Sequence, residues 1–257
     1  MKTTGIIIQA RMGSTRLPEK IFLNLKGKPV LGHVIDRCKR SKVNKIIIAT
    51  SIKKENNVVE DFCKKNNILC FRGSEEDVLE RYYLSAKEHN LGVIVRITSD
   101  CPLIDPKIIN FALKSFKKTK VDYLSNAFKR SFPRGLDVEV FSFKTLEKAY
   151  HQAKDKFQRE HVTLYIYNNP KEFKLGSLMA KGKLKRPDLR LCVDTVEDFK
   201  LLEIIYNKFY KGSLLKIKKI IRFLDKNPKL AKMNLESEKQ HVVKNESSGA
   251  HHKFIKN

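Results

Sequence analysis

Residues 5–20, GIIIQARMGSTRLPEK, constrain this chain more than any other stretch. The run Ile6-Ile7-Ile8 is short and wholly apolar, as expected of a β-strand buried on both faces. At Ala10 the pattern breaks into a loop carrying Arg11, Gly13, Ser14, Thr15, Arg16 and, beyond Pro18, Lys20. Glycine lets backbone N–H groups come close to an oxyanion, and short hydroxyls add donors. Three cations in ten residues supply countercharge. Such a loop is either a polyphosphate cradle or an ordinary basic surface turn. Neither GxxxxGK[ST] nor GxGxxG is present, so the commonest nucleotide loops are excluded.

The 257 residues suffice for one substantial core, and 41% hydrophobic with 9% aromatic content marks a globular chain. No apolar run approaches the roughly 20 residues of a membrane span, and the first residues do not read as a secretory signal. A cytoplasmic location is the default expectation. The cysteines (Cys38, Cys63, Cys70, Cys101, Cys192) show no metal-ligand spacing and read as buried thiols. The net charge of +25 raises the question of a basic nucleic-acid-binding protein. The lysines are spread along the chain with little aromatic interleaving, which argues against that alternative.

Periodicity predicts alternating strands and helices. Strands are expected at 45–50, 68–71, 93–97 and 121–124, and helices at 55–66, 75–89 and from Asp105-Pro106 to 118. Residues 126–135 read as a mobile loop, 136–141 as a half-exposed strand, and 143–153 and 159–167 as helices. A strand at 190–193 leads to a helix that opens with a Thr195/Asp198 capping box and runs to about 210. Another helix covers 214–224. Repeated β-loop-α units predict a three-layer α/β/α domain with a mostly parallel, Rossmann-like sheet. It spans 1–232, with a disordered tail at 233–257. Ligands in such folds bind beyond the carboxyl ends of the strands, where the Arg11 loop and the Ser99-Asp100 turn both fall. Asp100 and Asp194, each at a strand end, are carboxylates suited to a hard divalent cation.

The segments QARMGSTRLPEK, GKPVLGHVIDR, SEEDVLERYY, SDCPLID and VDTVEDF together resemble the sugar-activating cytidylyltransferases. That group includes the CMP-Kdo and CMP-acylneuraminate synthetases. The resemblance is nearest to the spore-coat polysaccharide branch of SpsF type and covers about 5–199. It implies a nucleotide-diphospho-sugar transferase type of fold, CTP as donor, Mg²⁺ as cofactor, a sugar acceptor and a role in surface glycan synthesis. It also implies that Ala10, Arg11, Gly13, Ser14, Arg16 and Lys20 bind the triphosphate and ribose. Arg11 and Lys20, with Asp100, would be catalytic, both cations being exposed in the cleft. Asp100 and Asp194 would hold the metal, and Ser99 and Arg81 would contact the nucleotide. Arg134, Asp137, Glu139, Glu160 and His161 become candidates for the acceptor side. Thr98-Ser99 replaces the Gln-Gly common in CMP-Kdo synthetases, and Met12-Gly13 replaces the Gly-Gly of acylneuraminate enzymes. These departures leave the sugar and the base open, with GTP or UTP and a sugar 1-phosphate as the alternative; a homodimer is also left open.

Overall fold

In a computed structural model, residues 3–235 are described. The apolar run near the start forms β1 (Thr3–Gln9), with a short hairpin of β2 (Asn24–Leu25) and β3 (Lys28–Pro29) after the loop. Helix α1 (Val30–Cys38), β4 (Lys45–Ser51), α2 (Asn57–Lys65), β5 (Leu69–Gly73), α3 (Val78–Glu88) and β6 (Leu91–Thr98) follow. Helix α4 (Pro106–Lys118) starts where Asp105 accepts the Lys107 N–H and Pro106 takes the first turn, as the sequence predicts. Then come β7 (Tyr123–Ser125), β8 (Glu139–Ser142), α5 (Phe143–Gln152), α6 (Lys156–Glu160), α7 (Leu164–Asn168) and β9 (Leu175–Ser177). Helices α8 (Val196–Phe209), α9 (Ile217–Asp225) and α10 (Pro228–Ala231) complete the described chain.

The main sheet has seven strands in the order β5-β4-β1-β6-β8-β7-β9. Strands β5, β4, β1 and β6 are mutually parallel, and β8 alone runs antiparallel to its neighbours. Alternation along β1 divides the core. Ile6 and Ile8 face a layer built from α1, α2, α4, α8 and α9, whereas Ile7 faces α3, α5 and α7. A strand covered on both sides must be apolar at every position, which explains the unbroken Ile run. The chain goes from β1 outward to β4 and β5, then returns to the other side of β1 as β6. Strand order therefore reverses between β1 and β6, and their last residues, Gln9 and Thr98, are register partners. A crevice at this reversal is where open α/β sheets bind ligands.

Several local expectations are corrected. The segment 126–135 is anchored: the buried Asn126 amide donates to Leu136 O (2.8 Å) and accepts the Val138 N–H (2.7 Å). The expected helix at 159–167 is broken into α6 and α7 at Val162, whose φ is 54°. At 190–193 there is a single bridge, Arg134 to Arg190, in place of a strand. Strand β8 lies inside the sheet, not half exposed, because Arg96 neutralises its Glu139 at 2.6 Å. The expected tail begins too early: Asn234 is fully buried and donates to Arg190 O (3.1 Å) and to Asp198 Oδ1 (2.7 Å). The rest of that segment, 236–257, lies outside the described residues.

Gly135 fixes how 126–135 meets the chain before α8. Its φ is +95°, and a Cβ there would lie 2.5 Å from both the carbonyl carbon and the oxygen of Leu191. Gly182 also has positive φ (+57°) but faces open space. Gly135→Ala is therefore expected to lower Tm by about 5 °C or more, and Gly182→Ala by only the few degrees of a left-handed residue. Thermal melts of the two variants check this ordering.

Candidate active site

Three chain segments converge at the reversal between β1 and β6. The first leaves β1 with the Ala10 N–H bonded to Ala49 O (3.1 Å) and carries Arg11 to Lys20. The second is the Ser99-Asp100 turn after β6. The third, ahead of α8, is tied to the second by a direct backbone bond from Val193 N–H to Asp100 O (2.8 Å). That bond sets Asp100 and Asp194 side by side although they are far apart in sequence.

Lys20 joins them. Its Nζ donates to Asp100 Oδ2 and to Asp194 Oδ1, each at 2.6 Å. The lysine side chain is 14% exposed, against the expectation of a freely exposed cleft residue. Burial alone would lower its pKa, but Asp100 and Asp194 outweigh burial and raise it above the usual lysine range. For Asp100, burial pushes the pKa up, and the Lys20 charge and hydrogen bond more than reverse this, leaving it below its ordinary 3.8. Arg16, on the open side, reaches Asp194 Oδ1 at 3.2 Å. Two hard oxygens thus face one cationic centre, as the ligands of a small divalent ion do.

The rest of the loop is held by residues that sequence reading missed. Buried Asn56 accepts the Met12 N–H (2.9 Å) and donates to Ser51 Oγ (2.8 Å). Glu75 pairs with Arg11 at 3.1 Å. Burial tends to raise the Glu75 pKa, and bonds to Ser51 and Arg11 bring it below its usual value. Arg11 keeps 45% of its side chain exposed. Ala10 is buried at the loop's start, and Ser14 turns back through its N–H to Met12 O (2.7 Å). A Cβ on Gly13 would meet only the flexible Glu55 carboxylate, at 3.2 Å, so nothing rigid within the protein demands glycine there.

The remaining expected residues divide. Ser99 is buried beside Asp100. Arg81 is 1% exposed and bonds to the Ser74 carbonyl, so it stands behind the loop instead of lining the cleft. Asp137 pairs with Arg130 (2.7 Å), and its charge is among the causes that raise the buried Cys101 thiol's pKa. Arg134 is half-buried and exchanges backbone bonds with Leu189 and Leu191. Glu139 has one oxygen on Arg96 (2.6 Å) and the other on Thr163 (2.7 Å), an arrangement that secures β8. Glu160 and His161 are exposed at the end of α6, and the His161 ring lies 4.0 Å from that of Phe157. Neither belongs to the group formed by Lys20, Asp100 and Asp194.

The family model for cytidylyltransferases matches residues 5–245. The chain belongs to the cytidylyltransferase family. An uncharacterized protein of Methanocaldococcus jannaschii is 45% identical over 236 residues, covering 91% of this chain and 95% of that one. The spore coat polysaccharide biosynthesis protein SpsF of Bacillus subtilis is 33% identical over 231 residues, covering 88% and 95%. The structure of a cytidylyltransferase from Leptospira borgpetersenii superposes with a TM-score of 0.84 at 35% identity, covering 90% and 97%. This cytidylyltransferase is thus a nucleotidyltransferase enzyme with the expected Rossmann-like fold. No helix among its described residues is long and apolar enough to cross a membrane.

The Lys20 cluster makes a stability prediction with a definite sign. A carboxylate whose pKa is depressed on folding stabilises the fold above its unfolded pKa and loses that contribution as pH falls through its folded pKa. Lys20→Met removes the charge that depresses Asp100 and leaves two carboxylates facing one another. The variant is expected to melt about 3–10 °C below wild type at about pH 7. The gap should narrow below about pH 4 as Asp100 takes up a proton. Paired melting curves across that range check this, and a gap constant with pH would contradict it.

Proposed function

We propose that this cytidylyltransferase transfers CMP from CTP to a sugar acceptor, with a divalent cation, Mg²⁺ in the cell, held by Asp100 and Asp194. The observation that carries the proposal is the Lys20 Nζ at 2.6 Å from both carboxylates at the sheet's reversal point. A lysine ammonium there already occupies the locus of a small cation, and the donors are hard oxygens, so the residues fit the metal. When bound, the metal supplies charge stabilisation to the oxygens around the reacting phosphorus.

The chain's own residues do the rest. Arg11, Arg16 and Lys20 lie on one loop, two of them on its exposed side, and together they countercharge a triphosphate. Gly13 leaves backbone accessible to the phosphates, which accounts for a glycine that packing does not require. With a cation held by Asp100 and Asp194, the Lys20 ammonium would be available to the phosphate chain. The acceptor oxygen attacks the α-phosphorus in line, its bond forms as the bond to the β-phosphate oxygen breaks, and pyrophosphate carries the electron pair away. Positioning and electrostatics suffice, and no covalent protein nucleophile is needed.

CTP is favoured over GTP or UTP by the family to which the chain belongs. A sugar acceptor and a role in surface polysaccharide synthesis are supported by the likeness to SpsF over nearly the whole chain. Of the acceptor-side candidates, Asp137, paired with Arg130 at 2.7 Å, is the one favoured.

Melting the protein with CTP, GTP, UTP and ATP, each with and without Mg²⁺, tests the donor, because a bound ligand raises Tm with the logarithm of its concentration over Kd. A Mg²⁺-dependent shift largest for CTP is expected; a larger shift with GTP or UTP would reassign the base. Release of pyrophosphate in the presence of sugar acids and sugar 1-phosphates then reads turnover. Arg11→Ala and Lys20→Ala are expected to lower that turnover about 10²–10³-fold. Turnover equal to wild type in both would contradict the cradle.

A further inference from the structure

The two oxygens of Asp194 are used differently. Oδ1 faces the cleft, bonded to Lys20 (2.6 Å) and approached by Arg16 (3.2 Å). Oδ2 faces inward and accepts from Arg190 Nη2 at 2.7 Å. Arg190 is only 3% exposed, so it is a poor prospect for contact with nucleotide or acceptor. Its Nε donates to Asp198 Oδ1 at 2.9 Å, and its Nη2 also reaches Asp198 Oδ2 at 3.1 Å. Asp198 is fully buried and already accepts the N–H groups of Asp194 (3.0 Å) and Thr195 (3.1 Å). The Asn234 amide bonds both the Asp198 carboxylate (2.7 Å) and the Arg190 carbonyl (3.1 Å).

This arrangement sorts the carboxylates. Cys192, Asp194 and Asp198 are close enough among the described residues to share an ion. Asp198, however, has its oxygens taken by one guanidinium, two backbone amides and one side-chain amide. An arginine serving only to neutralise Asp198 would have no need to reach Asp194. The extra bond requires a planar fork, which a lysine lacks.

We propose that Arg190 is a positioning residue for nucleotidyl transfer: by holding Asp194 Oδ2 from behind, it presents Oδ1 alone to the cation shared with Asp100. Asn234, from the turn after α10, braces this arrangement through the Arg190 carbonyl and the Asp198 carboxylate. The inference rests on the reading of Asp194 as a metal ligand. Groups that orient a metal ligand from behind typically change affinity or activity about 10–100-fold when altered. The sign separates positioning from charge. Loss of positive charge beside Asp194 would tighten cation binding, whereas loss of orientation weakens it.

The test is Mn²⁺ titration of the full-length protein, with free Mn²⁺ read by electron paramagnetic resonance, for wild type, Arg190→Lys, Asn234→Ala and Asp194→Asn. Arg190→Lys keeps the charge and loses the fork, and its Mn²⁺ Kd is expected to rise about 10–100-fold. Asn234→Ala is expected to shift it a few-fold in the same direction. Half-saturating Mg²⁺ for turnover should rise in parallel, with kcat at saturating Mg²⁺ changing much less. Mn²⁺ affinity unchanged in a folded Arg190→Lys protein overturns the proposal. Should Arg190→Lys fail to fold, unchanged affinity in Asn234→Ala overturns it. Wild-type protein whose Mn²⁺ uptake does not depend on Asp194 overturns the metal reading itself, and the role of Arg190 with it.

Discussion

One ammonium between two carboxylates organises this molecule. Lys20 comes from the loop after β1, Asp100 from the turn after β6, and Asp194 from the approach to α8, and Nζ closes the triangle at 2.6 Å on each side. Any one of these groups left partly buried and alone would be costly, since an unpaired charge in a low-dielectric site loses its hydration without compensation. The pairing therefore selects the arrangement in which all three segments meet. In the proposed function the same two carboxylates would hold the divalent cation.

The sheet is what makes such a meeting possible. The reversal of strand order between β1 and β6 opens a crevice flanked by loops, and every strand of the parallel part ends on that side. The third segment needs a separate device because it belongs to no strand. It is held by the Val193–Asp100 backbone bond and by Arg134 and Gly135 packed against Leu189 to Cys192. Behind it, Arg190, Asp198 and Asn234 form a buried polar group that connects the last described turn to the cleft. At its centre Asp198 accepts from four separate groups, which offsets the cost of burying its charge.

What could be read from the sequence was what local rules govern. Ile6 to Ile8 announce a doubly covered strand, Asp105-Pro106 a helix start, and Thr195 with Asp198 a capping box, all of which the structure contains. The capping box also concealed something. Asp198 fits its local role so well that its second role, as partner of Arg190, carries no separate signal. Asn56, Glu75 and Asn234 were missed for a related reason, since their bonds to Met12, Arg11 and Arg190 span long stretches of chain and follow no spacing rule. The break at Val162 was invisible because a β-branched residue at positive φ is what propensity argues against. Arg81 was expected at the nucleotide because the DVLER segment carries the resemblance, which says nothing of burial, and here it is buried against Gly73.

The most direct test of the central claim is a crystal structure of the protein with CTP and Mn²⁺, with the metal located by its anomalous scattering. An anomalous peak at Asp100 and Asp194 is expected, with Lys20 Nζ turned from between them to the phosphate chain. A nucleotide-bound structure in which Lys20 still bridges the two carboxylates and manganese lies elsewhere would contradict it.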